Sequence, residues 1–179
     1  MAARHPPPRL WLVTDERQGE ALWPALNRLP PGAGILFRHY SLSPAERKAL
    51  FARVQKIARR QRLLLILAGR EKDARAWQAA GWHGKSFHRT RLIRTASAHN
   101  LRETRAAERA RATLIFVSPV FETRSHPGGR TLGPVRFAML ARSTRLPVVA
   151  LGGMNSKRAR QLAGAYGWAA IDAWSSAPA

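Results

Sequence analysis

Short apolar runs alternate along this chain with longer stretches that carry helix-start signals, and that alternation restricts the fold more than any other property of the sequence. A parallel strand covered on both faces reads as an unbroken aliphatic run, and the polar stretch between two such runs supplies the crossover helix. Eight runs fit this description: residues 10–13, 34–37, 63–67, 84–87, 92–95, 114–117, 148–151 and 168–171. The fourth, Gly84-Lys85-Ser86-Phe87, is the least strand-like, having little β-branched or aliphatic content.

Helix starts are better marked. Ser43-Pro44-Ala45-Glu46 spells a capping box: the Ser43 hydroxyl accepts from an orphan amide, Glu46 reaches back to the amide of the cap, and Pro44 occupies the first helical position. Asn100-Leu101-Arg102-Glu103 repeats the arrangement, and Asn155 caps a helix expected to run toward Ala165. Each cap follows a run by a few residues, as short βα loops require. Eight such units imply a TIM (β/α)8 barrel, a fold that usually takes ~250 residues and seldom fewer than ~200. With 179 residues the barrel is expected to be shortened. Only Asp172 to Ala179 follow the eighth run, so its last helix is expected to be missing or vestigial. The domain reading is a flexible N-terminal arm over residues 1–9, with three consecutive prolines, and a single barrel over 10–179. Apolar strand surface between the first and last units then needs a cover, from the arm or from a second copy of the chain.

Composition narrows the setting. Hydrophobic residues make up 45% of the chain, enough for one continuous core. There is no cysteine, which excludes disulfides, thiolate nucleophiles and Cys-ligated zinc. The longest apolar run, Leu63-Leu64-Leu65-Ile66-Leu67-Ala68, falls far short of the ~20 residues of a spanning helix. The arm lacks the apolar region of a signal peptide, so the expectation is a cytoplasmic protein with no membrane association. Lys and Arg number 31 against 10 Asp and Glu, a formal charge of +21 that suits anionic ligands.

In a barrel, chemistry collects in the loops after the strands, and a phosphate site commonly lies beyond strands seven and eight. Gly152-Gly153 after the seventh run leads into a helix N-terminus, where bare amides can hold a phosphate; the same pair also suits plain turn geometry. The longest loop, residues 118–133, gathers hydroxyls, two arginines and a histidine, a mixture that suits phosphate oxygens and water alike. Ser97-Ala98-His99 invites a Ser-His nucleophile reading, but no acid stands at a spacing that would orient the imidazole, and Ser97 reads better as a phosphate or substrate ligand. His83 and His88 lack nearby carboxylates and sit beside Lys85 and Arg89, which argues against a metal there. Arg38, closing the second run, faces the mouth and can grip an anion bidentately; a surface arginine is the competing reading. The basic stretches over 53–62 and 85–111 read as solvated helix faces.

Taken together, Leu10-Trp11-Leu12-Val13-Thr14-Asp15, Ser97-Ala98-His99, Ser118-Pro119-Val120-Phe121-Glu122-Thr123 and Val148-Val149-Ala150-Leu151-Gly152-Gly153-Met154 resemble the thiamine phosphate synthase and thiazole tautomerase (TenI-like) family, in order from about residue 10 to residue 173. The resemblance implies a TIM barrel transferase of thiamine biosynthesis. Such an enzyme joins a pyrimidine methyl diphosphate to a thiazole phosphate with magnesium and releases pyrophosphate. By position, Arg38 matches the arginine of the family's Gln-x-Arg-x-Lys strand and Ser97 the serine at the pyrimidine substrate's phosphates, the two residues expected to be catalytic. Thr123, Arg124 and Ser125 match the Thr-x-Thr segment at the thiazole phosphate, His126 stands where a lysine follows it, and Gly152 and Gly153 match the glycines at the same phosphate.

The departures bear on metal and turnover. Leu36 and Tyr40 replace the family's glutamine and lysine, and Pro119 stands where the tautomerase branch has a histidine. Ala68-Gly69-Arg70 stands at the Asn-Asp pair, with Glu71 and Asp73 displaced from it. Phe87-His88-Arg89-Thr90 carries no acid for the second magnesium ligand, and Asp172 replaces a serine. The family cofactor Mg2+ therefore loses expected carboxylates, no residue is assigned to it, and Arg70, Arg89 and Arg91 are candidates to neutralise a diphosphate in its place. The alternative is a non-catalytic binder of phosphorylated heterocycles. A nucleic-acid-binding module is opposed by the lack of a basic tail or of aromatics interleaved with basic residues.

Overall fold

A computed structural model describes residues 6–84, 92–123 and 128–174. Eight parallel strands pair in chain order and the last returns to the first, closing a barrel. They are β1 (Leu10–Val13), β2 (Gly34–Phe37), β3 (Leu64–Ala68), β4 (Gly81–His83), β5 (Ile93–Ala98), β6 (Leu114–Val117), β7 (Val148–Ala150) and β8 (Gly167–Ala170). The helices are α1 (Leu22–Asn27), α2 (Pro44–Gln61), α3 (Glu71–Ala76), α4 (Leu101–Arg109), α5 (Gly133–Arg142) and α6 (Ser156–Arg160), with a 3-10 segment over Glu16–Ala21. Among the described residues no helix lies between β4 and β5 or after β8, so this TIM barrel is a shortened one.

Two sequence expectations are corrected. The fourth strand is Gly81–His83, not residues 84–87, of which 85–87 lie outside the described residues. Its glycine is demanded by crowding: a Cβ on Gly81 would stand 2.2 Å from the Ile93 carbonyl oxygen. The helix capped by Asn155 stops at Arg160 well short of Ala165, and the chain passes through Gly164 at φ +80° before β8. The capping box on α2 forms as expected, with Ser43 accepting from the Glu46 amide and Glu46 accepting from the Ser43 amide.

Strand alternation sorts the side chains into two shells. Trp11, Val13, Leu36, Ile66, Leu114, Phe116, Val149 and Ala169 form one buried cluster inside the barrel. The Trp11 ring meets Phe116 edge-on at 5.2 Å and lies across Gly34, where a Cβ would come within 2.3 Å of it. Outward residues divide between two clusters, Leu12, Ile35, Phe37, Leu65 and Leu67 against α1 and α2, and Ile115, Val117, Val148 and Ala150 against Phe137 of α5. Each large side chain removed from water in this way contributes about 1.5–3 kcal/mol.

The seam between β1 and β8 is covered from within the chain. The Trp174 ring stacks on Trp168 with centroids 5.1 Å apart, and its Nε1 donates to the Trp11 carbonyl at 3.1 Å. From the other terminus, the carbonyls of Pro7, Pro8 and Arg9 accept from the Tyr166 hydroxyl, Trp11 Nε1 and the Trp168 amide. No helix among the described residues is long and apolar enough to cross a membrane.

Candidate active site at the barrel mouth

The C-terminal strand ends open on a cleft of about 480 Å3 lined by Arg38, Tyr40, His83, Ser97, His99, Thr123, Arg130 and Gly152. Arg38 is the first residue after β2 and its backbone is held on both sides. Its amide donates to the Thr14 hydroxyl at 3.0 Å, and its carbonyl accepts from Arg47 Nε at 2.8 Å. Arg47 donates as well to the Ala68 carbonyl at 2.6 Å, tying β2 to β3 beneath the mouth. The Arg38 guanidinium lies 5.7 Å from the Tyr40 ring centroid.

Ser97 has a histidine partner, but a different one from the neighbour in sequence. Parallel pairing sets His83 of β4 beside Thr95 of β5, and Ser97, two residues on, faces the same side. Thr95 Oγ1 lies 2.9 Å from His83 Nδ1 and Ser97 Oγ lies 3.0 Å from Nε2. Burial, with the Arg38 charge adding to it, pushes the His83 imidazole down to about 4, so it is neutral near pH 7. His99 turns away instead, its Nδ1 meeting the Ser118 carbonyl while its amide donates to Glu103 at 2.7 Å. A serine hydrolase is thereby disfavoured on geometry: the group behind His83 is a hydroxyl rather than a carboxylate.

A second cleft, of about 370 Å3, adjoins the first and includes Glu122, Thr123, Gly152, Gly153, Asn155, Arg158 and Asp172. Thr123, Leu151, Gly152 and Ile171 line both. Gly152 and Gly153 have φ of +93° and +61°, and neither has room for a side chain: a Cβ would stand 2.8 Å from Pro119 Cα and 2.3 Å from the Glu122 carbonyl oxygen respectively. The turn is locked to the strand-six loop, Gly152 accepting from the Phe121 amide at 3.1 Å, and Arg158 bonds the Gly153 carbonyl. Helix α6 has only five residues and its Arg158 amide is taken by Asn155. The glycine turn, rather than a helix dipole, is what this end offers an anion. Arg124, Ser125 and His126 lie outside the described residues, as do Arg89 and Arg91.

The carboxylates are engaged elsewhere. Asp73 takes a two-pronged bond from Arg70, at 2.8 and 3.2 Å, and Glu71 accepts from Arg75 at 2.6 Å. No three or more His, Asp or Glu side chains among the described residues group as metal ligands would. Glu71 and Asp73, the carboxylates displaced from the expected magnesium position, are each held by an arginine, and Arg70, bound to Asp73, is turned to its own helix. Burial alone would raise the Asp15 carboxyl, but the Arg17 side chain and amide outweigh it and hold the group below the usual carboxylate range. The Asp15 hydrogen bond in turn raises the Arg17 pKa, and the Asp172 charge adds to that shift.

Comparison with known proteins places this geometry among its relatives. The sequence model of the family described as thiamine monophosphate synthase matches residues 10–174. A putative thiamine-phosphate synthase 2 of Aquifex aeolicus is 30% identical over 178 residues, covering 92% of this chain and 96% of that protein. A thiamine-phosphate synthase of Geobacillus thermodenitrificans is 32% identical over 151 residues, covering 77% of this chain and 68% of its own length. Among solved structures, thiamine phosphate pyrophosphorylase from Pyrococcus furiosus superposes with a TM-score of 0.80 at 25% identity, over 96% of this chain and 89% of that one.

Proposed function

The chain belongs to the thiamine monophosphate synthase family, and from that premise we propose that it joins a pyrimidine methyl diphosphate to a thiazole phosphate at the barrel mouth. The observation that carries the reading is the pair of adjoining clefts sharing Thr123 and Gly152, one lined by Arg38 and Ser97 and the other by the glycine turn. Two anionic substrates that must meet need such neighbouring seats. The carbon–oxygen bond to pyrophosphate breaks, its electron pair leaving on the pyrophosphate oxygen, and the thiazole nitrogen captures the resulting pyrimidine carbocation. Catalysis then rests on positioning and on compensating phosphate charge. Arg38 and Ser97 take the diphosphate; Thr123 and the amides of Gly152 and Gly153, with Arg124, Ser125 and His126, take the thiazole phosphate.

The engaged carboxylates support a reaction that leans little on protein-bound magnesium. The reading is of a single cytoplasmic barrel domain with small phosphorylated heterocycles rather than nucleic acid as partners. Incubating the purified chain with both phosphorylated precursors, with magnesium and with chelator, and chromatographing the products tests it. Thiamine phosphate and pyrophosphate should appear in equal amounts, with chelator changing the rate little. Tight binding of both precursors without product would favour the non-catalytic binder, which the replacements Leu36, Tyr40 and Asp172 favour.

A further inference from the structure

His83 is a part-buried imidazole lining the mouth that the proposed reaction leaves without a task, and the two hydroxyls around it fix which of its nitrogens carries the proton. Thr95 is fully buried, and among the described residues its hydroxyl has a single hydrogen-bond partner, His83 Nδ1. A buried hydroxyl hydrogen left unpaired is costly, so Thr95 donates and Nδ1 accepts. A neutral imidazole carries one proton, which then sits on Nε2 and is donated to Ser97 Oγ at 3.0 Å. With its oxygen already accepting, the hydroxyl hydrogen of Ser97 is free to turn into the cleft that Ser97 lines.

We propose that His83 is a positioning residue for Ser97: a one-way chain of donors, Thr95 to His83 to Ser97, presents the Ser97 O–H to an anionic oxygen at the barrel mouth. The reverse direction would orphan the Thr95 hydrogen and turn a lone pair of Ser97 toward the anion. This deepens the diphosphate reading of the mouth and rests on it for the identity of the anion; the direction of the chain does not.

The tautomer is read directly on the full-length, 15N-labelled chain by long-range proton–nitrogen correlation, the His83 signals being assigned by their loss in His83→Gln. The expected pattern is protonated Nε2 and bare Nδ1; protonated Nδ1 would overturn the proposal, and this reading decides it even where a variant fails to fold. Calorimetric titration of inorganic pyrophosphate supplies the functional arm. His83→Leu and Ser97→Ala should each weaken binding roughly tenfold, and the double variant no further, because both remove one donor. His83→Gln, whose amide keeps a donor where Nε2 stood, should recover most of what leucine loses. Additive losses, or no recovery with glutamine, would reduce His83 to a packing residue. Pyrophosphate that fails to bind the unsubstituted chain would overturn the diphosphate reading, while the spectrum still settles the donor chain.

Discussion

At the scale of single residues the mouth is governed by groups whose protons are fixed by their neighbours. His83 is held neutral down to about pH 4 by burial and by Arg38, whereas in the unfolded chain it protonates near 6.5. Between those values the unfolded state binds a proton that the folded state refuses. The contribution to stability is therefore whole above pH 6.5 and is lost as the pH falls to 4, amounting to up to about 3 kcal/mol. Denaturant midpoints measured at pH 7.5, 5.5 and 4 should fall less steeply in His83→Gln than in the parent chain; parallel curves would refute the shift. The place of Arg38, Ser97 and the glycine pair at the mouth is legible in the sequence because they lie at or just beyond the C-terminal ends of strands, where barrel chemistry collects. In the sequence alone His83 reads only as a metal-ligand candidate without a carboxylate beside it. Its partners stand on the next strand at Thr95 and Ser97, and their meeting depends on a parallel register that no local pattern announces.

At the scale of elements, the strands announced themselves wherever an aliphatic run was long enough to be seen. β4 was not: it has three residues, begins with a glycine and presents one large buried side chain, Trp82, so it offers neither run nor period. Caps were readable for the opposite reason, since a capping box is a bond between residues three apart and lies wholly in the local sequence. The helix beyond Asn155 kept its cap and lost its length, because nothing in a cap states where a helix ends. The strand-seven turn carries two separable constraints, and alanine substitution divides them. Gly128, in the strand-six loop at φ +71° with open space around it among the described residues, serves as the comparison that bears only the backbone strain. Gly153 bears that strain and a collision with the Glu122 carbonyl. Gly153→Ala should therefore cost clearly more than the roughly 1 kcal/mol expected of Gly128→Ala, as measured by equilibrium denaturation, and should weaken pyrophosphate binding as the strand-six loop shifts. Equal costs would show that the loop yields freely.

At the scale of the whole molecule, 31 basic residues face only 10 acids, a net charge of +21, and four of those acids, Asp15, Glu71, Asp73 and Glu108, are paired with Arg17, Arg75, Arg70 and Arg105. A field of that sign draws in phosphates, and its reach shortens as salt is added. Pyrophosphate affinity should accordingly drop steeply from low to high ionic strength and respond little to chelation of magnesium. If chelator abolished binding while salt barely mattered, Glu71 or Asp73 would have to leave its arginine for the metal. The barrel count and its shortness were legible at this scale. The closure of its seam was legible only in part: a cover from the arm is expected and the Pro7 and Pro8 carbonyls supply it, whereas Trp174 lies in a segment with no strand or helix signal. That seam also sets an order of events during synthesis. The first strand leaves the ribosome with one of its two partners, Trp168 and its neighbours, still untranslated, and it must wait with a bare edge while almost the entire sheet is made. Any sheet formed before the final strand joins it has two unsatisfied rims, open to pairing with another chain, and only the return of that strand to the first makes the molecule a ring.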